Sequence, residues 1–271
     1  MEAHIENENV KNSNSNSNSN SNSNSNSNRK RKRKQIAPTK SLNKVAVTSA
    51  SASEQLGLFV EQFQSANGLQ ISSLEFESLK DTCILELPQD SHLDVNMLGK
   101  NIRPAFGTSW KEELCEGKLV EGKIDPGSPA VLIISSSALR CIELLRGFRS
   151  FTKECHAVKL FSKHMKVEEQ IPLLKNRVNI ASGTPSRIKK LIDIEALSLS
   201  RLKVLVLDMQ PDVKGYSLLT LPQVRDEFWD LFKNYYYEAM IKGDLRICLY
   251  GPYELAVRLK GKKGDSAAKK E

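Results

Sequence analysis

From about residue 123 onward, short apolar runs alternate with amphipathic stretches. The apolar runs predict buried strands at 131–134, 157–161, 178–181, 204–207 and 245–250. In the stretches between them apolar residues recur every three or four positions, which predicts helices at 138–148, 166–175, 185–194 and 221–240. Strands that alternate with helices need crossover connections. The pattern therefore predicts an α/β domain over residues 123–257, a single parallel sheet with helices on both faces.

A helix is predicted ahead of this domain by signals at both of its ends. Ser51 is followed three residues later by Glu54, which makes a capping box, and apolar residues then recur at helical spacing until Asn67 and Gly68. A short apolar run at 83–87 stops at a proline, and one or two further helices are expected between residues 93 and 115. We interpret residues 51–122 as a helical N-terminal appendage to the main domain.

The net positive charge of the chain is concentrated toward its two ends. Ser and Asn alternate strictly over residues 13–28, which predicts a disordered spacer because no apolar side chain offsets the entropy cost of ordering. Residues 29–44 hold eight cations and no carboxylate, although the net charge of the whole chain is only +8. We therefore divide the chain into a disordered basic N-terminal tail (1–50), a nearly neutral body and a basic C-terminal tail (258–271).

Six consecutive cations follow the Ser-Asn repeat, namely Arg29, Lys30, Arg31, Lys32, Arg33 and Lys34. Such a run is typical of a nuclear localisation signal, and it also suits an arm that attracts a polyanion without fixed geometry. A merely solubilising tail is the alternative. The interpretation favours a nuclear protein that associates with RNA.

The cysteines and the hydropathy of the chain further restrict the class of protein. The five cysteines form no C-x-x-C pair, so we expect free, mostly buried thiols and no metal site. No apolar run approaches the length of a signal-peptide core or of a membrane span. We expect a soluble protein in a reducing compartment, with no membrane partner and no small-molecule substrate.

Small hydroxyl residues and glycine follow the predicted strands, at the edge where parallel sheets bind ligands. Ser137 and Arg140 follow the first strand, and Asp208 ends the fourth. The third strand leads into residues suited to an RNA phosphate at a helix N-terminus. These are Gly183, Thr184, Ser186, Arg187, Lys189 and Lys190. The alternative is structural, with Thr184 capping the helix and Pro185 at its first position.

The order of these elements resembles the first RecA-like lobe of DEAD-box RNA helicases. The family's Thr-Pro-Gly-Arg motif, which grips RNA phosphates, corresponds to residues 184–187. Its Asp-Glu-Ala-Asp motif corresponds to Asp208, Met209, Gln210 and Pro211. A thioether at the position of the catalytic glutamate cannot take a proton from water. The arginine of the family's Pro-Thr-Arg-Glu-Leu-Ala motif is replaced by Ala138, and Arg140 is the candidate substitute. The resemblance implies a RecA-like lobe with a degenerate hydrolytic motif.

One segment has the spacing of a phosphate loop. Gly117, Gly122 and Lys123 match that spacing, but Ile124 stands where the loop needs Ser or Thr, and no room remains for a helix before the strand at 131. We interpret the match as accidental. The sequence therefore predicts no nucleotide cofactor and no enzymatic activity.

Four longer segments are more specific than any single helicase motif. They are LIISSSALRCIELLR from Leu132, VKLFSKHMKVEEQIPLLKNRV from Val158, SGTPSRIKKLI from Ser182 and LKVLVLDMQPD from Leu202. Together they resemble the Cms-one family of eukaryotic small-subunit pre-ribosome components. The resemblance covers the body from about residue 54 to 253, and it implies a nucleolar protein with no established enzymatic activity.

We therefore expect a non-catalytic protein that associates with pre-ribosomal RNA or pre-ribosomal proteins during small-subunit assembly and rRNA processing. An ATP-dependent RNA helicase or nucleotide switch is one alternative, and it needs the phosphate loop that the sequence lacks. A protein-only adaptor that the basic tails direct to the nucleus is the other. A measurement of nucleotide binding distinguishes the helicase or nucleotide switch from our interpretation. The salt dependence of RNA binding distinguishes the protein-only adaptor from it.

Overall fold

The computed structural model describes residues 50–68, 79–88, 94–163 and 165–252, so the cation run at 29–34 and the segment 258–271 lie outside the described residues. Five parallel strands form a sheet in the order β2-β3-β1-β4-β5. They are β1 (Val131–Ile134), β2 (Val158–Leu160), β3 (Ile180–Gly183), β4 (Val204–Asp208) and β5 (Arg246–Tyr250). The predicted parallel α/β sheet is confirmed.

Helices cover both faces of this sheet. They are α1 (Ala52–Asn67), α2 (Leu98–Ile102), α3 (Trp110–Leu114), α4 (Ala138–Leu145), α5 (Val167–Leu174), α6 (Pro185–Asp193), α7 (Pro222–Leu231) and α8 (Tyr237–Lys242). Shorter 3-10 segments are Asp81–Cys83, Val95–Met97, Arg103–Ser109 and Arg146–Phe148. Across the described part of the chain, none of the helices combines the length and hydropathy needed to span a bilayer.

Helix α1 begins and ends where the sequence predicts. The Ser51 side chain accepts a hydrogen bond from the Glu54 backbone, and the Glu54 carboxylate accepts one from Ser51 N at 2.9 Å, so the capping box is formed. At the other end Gly68 adopts a left-handed conformation with φ of 62°. This conformation is one that glycine reaches without steric strain.

The helices form two layers, and residues 51–122 contribute to both. In the first layer, α1 packs with α5–α8: Phe59 and Phe63 lie 5.1 and 5.3 Å from the ring of Trp229. In the second layer, α2, α3 and α4 cover the opposite face, where Leu98 and Leu114 are fully buried. The described parts of the segment predicted as an appendage thus pack onto both faces of the sheet.

The long helix predicted over 221–240 contains a π-helical turn, Phe232–Tyr236, between α7 and α8. A π turn adds one residue, so the buried stripe moves on by one position after Leu231. Tyr236 and Met240 are therefore buried, whereas an uninterrupted spacing of four residues from Leu231 leads to Tyr235 and Ala239, which are only half-buried. Both halves of the predicted helix pack against the core of the first layer, with a change of phase at the π turn.

All five cysteines are free thiols, and four of them are buried. Burial raises the pKa of the Cys83 thiol to about 11 and the pKa values of Cys141 and Cys248 to about 12. Cys115 is only partly buried, and burial raises its pKa as well. The prediction of free, mostly buried thiols is confirmed.

Candidate functional site

The predicted site residues meet at one edge of the sheet, here called the carboxyl edge, where the strands end. Strand β1 lies between β3 and β4, and the backbone N–H of Ser135 donates to the carbonyl of Gly183 at 3.1 Å. Gly183 belongs to β3, which ends two residues later than the sequence pattern predicts. Helix α4 leaves this edge on the second layer and α6 leaves it on the first, so their N-termini flank the edge from opposite faces.

Asp208, at the end of β4, is only 1% exposed and is neutralised by Arg140. Arg140 Nε lies 3.1 Å from one carboxylate oxygen, and Nη2 lies 2.8 Å from the other. Ser135 Oγ donates to the same carboxylate at 2.8 Å, and the backbone N–H of Gln210 donates at 3.3 Å. The remaining Nη1 of Arg140 lies 2.7 Å from Glu143. The hydrogen bonds with Asp208 raise the pKa of Arg140, so its guanidinium is a fixed cation at this site.

The other three residues of the degenerate motif place no acidic side chain at the carboxyl edge. The Met209 side chain is buried in the core of the first layer, while its backbone N–H donates to the carbonyl of Tyr250 at 2.7 Å. Gln210 and Pro211 are exposed. Within the residues that the structure describes, no group of His, Cys, Asp or Glu is arranged to hold a metal ion.

Helix α6 begins at the predicted phosphate site with open backbone donors. Thr184 takes the N-cap position and Pro185 the first helical position, but the Thr184 side chain makes no capping hydrogen bond. The first backbone hydrogen bond of the helix runs from Ile188 N to Thr184 O at 3.1 Å. The N–H groups of Ser186 and Arg187 therefore have no acceptor among the described residues. The structural alternative explains the positions of Thr184 and Pro185 and leaves these two donors free.

Arg187 is half-buried and is held by the first layer. Its Nη1 donates to Gln170 Oε1 at 2.7 Å and to the Met165 carbonyl at 3.1 Å. Gln170 in turn donates to the carbonyls of Lys159 and Phe161 at the outer edge of β2. These contacts give Arg187 a structural role in addition to the predicted contact with a phosphate. The Nε and Nη2 atoms of Arg187 make no hydrogen bond to a described residue.

The other predicted RNA-binding residues have different surroundings. Ser186 and Lys190 are exposed, and Lys190 forms no ion pair with a described residue. Lys189 lies 2.9 Å from Asp193, which compensates its charge. Ser137 accepts a hydrogen bond from the backbone of α4 and caps that helix. Arg140 is likewise engaged within the chain, so the geometry favours Ser186, Arg187 and Lys190 for contact with a ligand.

The segment with the spacing of a phosphate loop, Gly117–Lys123, is irregular and lies between α3 and β1. No helix follows it before β1.

A strand-like segment around Ile84 extends the sheet beside β5, although the sequence pattern did not place it in the sheet. Ile84 forms a parallel bridge with Ile247 of β5, and Leu85 N donates to the Ile247 carbonyl at 2.8 Å. Because this segment runs parallel to β5, it leads toward the carboxyl edge. The next residues, PQDSHLD at 88–94, include neither glycine nor lysine.

Two residues outside the predicted set complete the geometry of the site. Ser135 donates a hydrogen bond to the carboxylate of Asp208, and it belongs to the run of three serines that follows the first strand. Gln170 anchors Arg187, and it is the buried polar residue of α5. Its only sequence signal is a polar residue on the helix face of Val167 and Leu174, which does not indicate a partner in another helix.

Fold and site together define the class, a parallel α/β lobe in which an arginine of the same chain neutralises the aspartate at the end of a central strand. The chain belongs to the CMS1 family: the family profile described as "U3-containing 90S pre-ribosomal complex subunit" matches residues 3–250. The predicted Cms-one resemblance is confirmed. Membership supports a role in ribosome biogenesis, and it implies pre-ribosomal protein partners and a nuclear or nucleolar location.

Individual relatives agree with this assignment. The chain is 32% identical over 209 residues to Protein CMSS1 of Xenopus laevis, and the match covers 76% of this chain and 70% of that protein. It is 37% identical over 153 residues to Protein CMSS1 of Homo sapiens, covering 55% of this chain and only 53% of that protein. Among solved structures, S. cerevisiae Dbp5 bound to Nup159, Gle1, IP6 and ADP aligns with 74% of this chain and 46% of its own, at 12% identity and a TM-score of 0.38.

Proposed function

We propose that the chain is a non-catalytic, RNA-associated subunit of the small-subunit pre-ribosome, built on a helicase-like lobe that does not hydrolyse ATP. The observation that carries the proposal is the pair formed by Arg140 and Asp208. A magnesium-dependent ATPase needs an acidic side chain that is free to face the metal. Asp208 is instead bound on both oxygens by Arg140 and Ser135, so its charge is already balanced by the protein.

Two further features support the absence of hydrolysis. Met209 faces the core, so no carboxylate follows Asp208 to take a proton from an attacking water. The segment that leads to the carboxyl edge beside β5 is followed by residues 88–94, which lack the glycines and the lysine of a phosphate loop. The proposal therefore includes no nucleotide cofactor.

The N-terminus of α6 supports the association with RNA. The N–H groups of Ser186 and Arg187 lie at the positive end of the helix dipole, where an anion is favoured. Two nitrogens of Arg187 have no partner among the described residues, and Lys190 is exposed nearby in sequence. These groups suit one phosphate of pre-rRNA, a contact that positions a strand without reading its bases. Pre-ribosomal proteins are the expected further partners, in the nucleolus.

The proposed RNA contact is tested by titrating the full chain with a single-stranded oligouridylate and following fluorescence anisotropy at several salt concentrations. Arg187→Ala should weaken binding by about 1–2 kcal/mol, the scale of a charge-assisted hydrogen bond. It should also flatten the salt dependence by roughly one phosphate contact. The matched control is Arg225→Ala, because Arg225 pairs only with the neighbouring Asp226 among described residues. Equal affinities for both variants would contradict the site, and no RNA binding by the wild type would favour the protein-only adaptor.

A further inference from the structure

A groove of about 460 Å³ runs beside β2, which is an edge strand of the sheet. One wall is formed by residues 154–159, and the other by Leu173 and Asn176 at the end of α5. Met165 lines the end that faces the carboxyl edge, since it follows β2 in the chain. The proposed phosphate site does not use this groove. Its lining and its surroundings nevertheless point to a ligand.

The chain segments that line the groove are rich in lysine. Lys159 is part of its lining, and four more lysines are each adjacent in sequence to a lining residue: Lys118, Lys153, Lys166 and Lys175. All five are exposed, and none forms an ion pair with a described residue. The lining contains one carboxylate, that of Glu154, and the buried Arg177 is offset by Glu116 at 4.0 Å. Cations that are not balanced by the protein favour an anionic ligand.

The same groove offers surfaces that suit nucleobases. Leu173 is 44% exposed although it is apolar, Met165 is half-buried, and the imidazole ring of His156 is exposed. Single-stranded RNA combines phosphates that need cations with bases that pack on apolar and aromatic side chains. An alternation of lysines with apolar side chains and an imidazole matches both needs.

An acidic peptide is a less suitable occupant of this edge. An extended peptide binds an edge strand by pairing with its free backbone groups. At β2 the outward carbonyls of Lys159 and Phe161 already accept hydrogen bonds from Gln170 Nε2, at 2.9 and 3.2 Å. Gln170 therefore blocks the ladder that a peptide strand needs. RNA needs no such ladder, because its phosphates bind side chains.

The groove is continuous with the phosphate site through a single hydrogen bond. The Met165 carbonyl at the end of the groove accepts from Arg187 Nη1, at 3.1 Å, and the remaining nitrogens of Arg187 belong to the phosphate site at α6. We propose that the groove beside β2 binds the continuation of the RNA strand whose phosphate is held at the N-terminus of α6. This inference rests on the proposed function, and it extends the RNA track from the carboxyl edge along the side of the sheet.

The length of the bound strand provides the test. The full chain is titrated with oligouridylates of about 4 and about 12 nucleotides, which bracket the site sizes of small single-strand binding domains. The groove variant is Lys153→Glu with Lys159→Glu, and the matched control is Lys80→Glu with Lys233→Glu, two exposed lysines outside the groove that form no ion pair with described residues. The groove variant should bind the long strand at least tenfold more weakly than the control does and bind the short strand equally well. A polyglutamate peptide serves as the anionic protein probe, and thermal unfolding verifies that both variants are folded.

The outcomes separate this inference from the proposed function. If Arg187→Ala weakens both lengths but the groove variant binds the long strand as well as the control does, the groove is not part of the track. The groove is likewise not part of the track if the groove variant loses only its binding to polyglutamate. If Arg187→Ala changes neither length, the phosphate site itself fails. A 4-thiouridine strand should in addition crosslink to a peptide containing residues 154–159 or 173–176, and crosslinks restricted to residues 183–190 would contradict the groove.

Discussion

Arg140 and Asp208 are 68 residues apart in the chain and form a two-point ion pair at the carboxyl edge, with nitrogen–oxygen distances of 3.1 and 2.8 Å. The pair joins the first turn of α4, which follows β1 in the chain, to the end of β4, which lies beside β1 in the sheet. An acidic residue that a hydrolase would use for metal binding is here a structural partner. The relationship therefore links the stability of the fold to the proposed loss of catalysis.

Removal of Arg140 should destabilise the protein strongly. Arg140→Ala leaves the carboxylate of Asp208, 1% exposed, without its counterion, and we expect a loss of about 3–5 kcal/mol in the free energy of unfolding. Arg140→Ala combined with Asp208→Asn should lose less, because no buried charge remains. Urea denaturation measures both of these variants and Asp208→Asn alone. The exposed Arg146→Ala is the control, expected within about 0.5 kcal/mol of the wild type. A double variant as unstable as the sum of the two single ones would show that the two residues are not coupled.

Gly183 should resist substitution for a steric reason. A Cβ atom at this position would lie 2.3 Å from the carbonyl oxygen of Leu160 in β2, so the two strands have to move apart. We expect Gly183→Ala to cost about 1–3 kcal/mol. Gly57→Ala is the matched control, since a Cβ at Gly57 in α1 meets nothing within 4 Å, and it should stabilise the helix by about 0.5–1 kcal/mol. Equal melting temperatures for the two variants would contradict the strand contact.

Glu113 should make stability depend on pH in the acid range. Burial raises the pKa of this carboxyl, but hydrogen bonds from Lys203 and Arg201 outweigh burial and hold the pKa below its ordinary value of 4.5. A pKa that is lower in the folded state stabilises the protein above the unfolded value, and this contribution disappears as the pH falls through the folded value. Near neutral pH, Glu113→Gln should therefore be less stable than the wild type by at most about 1 kcal/mol.

The difference between Glu113→Gln and the wild type should shrink as the pH falls below 4.5 and through the lowered pKa of Glu113. Urea denaturation at a series of pH values measures it, with the exposed Glu121→Gln as control, since Glu121 has no ion pair with a described residue. A difference that stays constant down to acid pH would mean that the ionised carboxylate is not what stabilises this contact.

The cation run at residues 29–34 remains a predicted nuclear localisation signal, outside the described residues. Deleting these six residues should shift a fluorescently tagged protein from the nucleus toward the cytoplasm, because import receptors bind such basic runs. The control replaces by alanine the six cations near the other end of the chain, which removes the same charge; they are Arg258, Lys260, Lys262, Lys263, Lys269 and Lys270. Unchanged nuclear accumulation after the deletion would show that another segment carries the signal.

The sequence predicts the sheet well because buried strands are short apolar runs with local signals. All five strands are found within two residues of their predicted starts, and the parallel order follows from the intervening helices. It also predicts that Arg187 and Asp208 meet at one edge. Contacts between distant elements have no such local signal. Neither the anchoring of Arg187 by Gln170 nor the pairing of Arg140 with Asp208 is visible in the spacing of residues.

Helix phase and layer assignment are harder to predict for the same reason. The π turn at Phe232–Tyr236 moves the buried stripe by one residue, and a single extra residue per turn leaves no mark on composition. Residues 51–122 contain mixed, short elements that look like an appendage in isolation. Their apolar side chains, such as Phe59 and Leu98, find their partners only once the sheet is formed.

The most direct test of the central claim is a titration of the full chain with ATP in the presence of magnesium, followed by calorimetry, together with phosphate release measured with and without oligouridylate. Because Arg140 already neutralises Asp208 and residues 88–94 lack a phosphate loop, we expect no magnesium-dependent ATP binding. Phosphate release should equal that of the Asp208→Asn variant under every condition. Magnesium-dependent ATP binding, or RNA-stimulated phosphate release that Asp208→Asn or Lys123→Ala abolishes, would contradict the account and identify an enzyme.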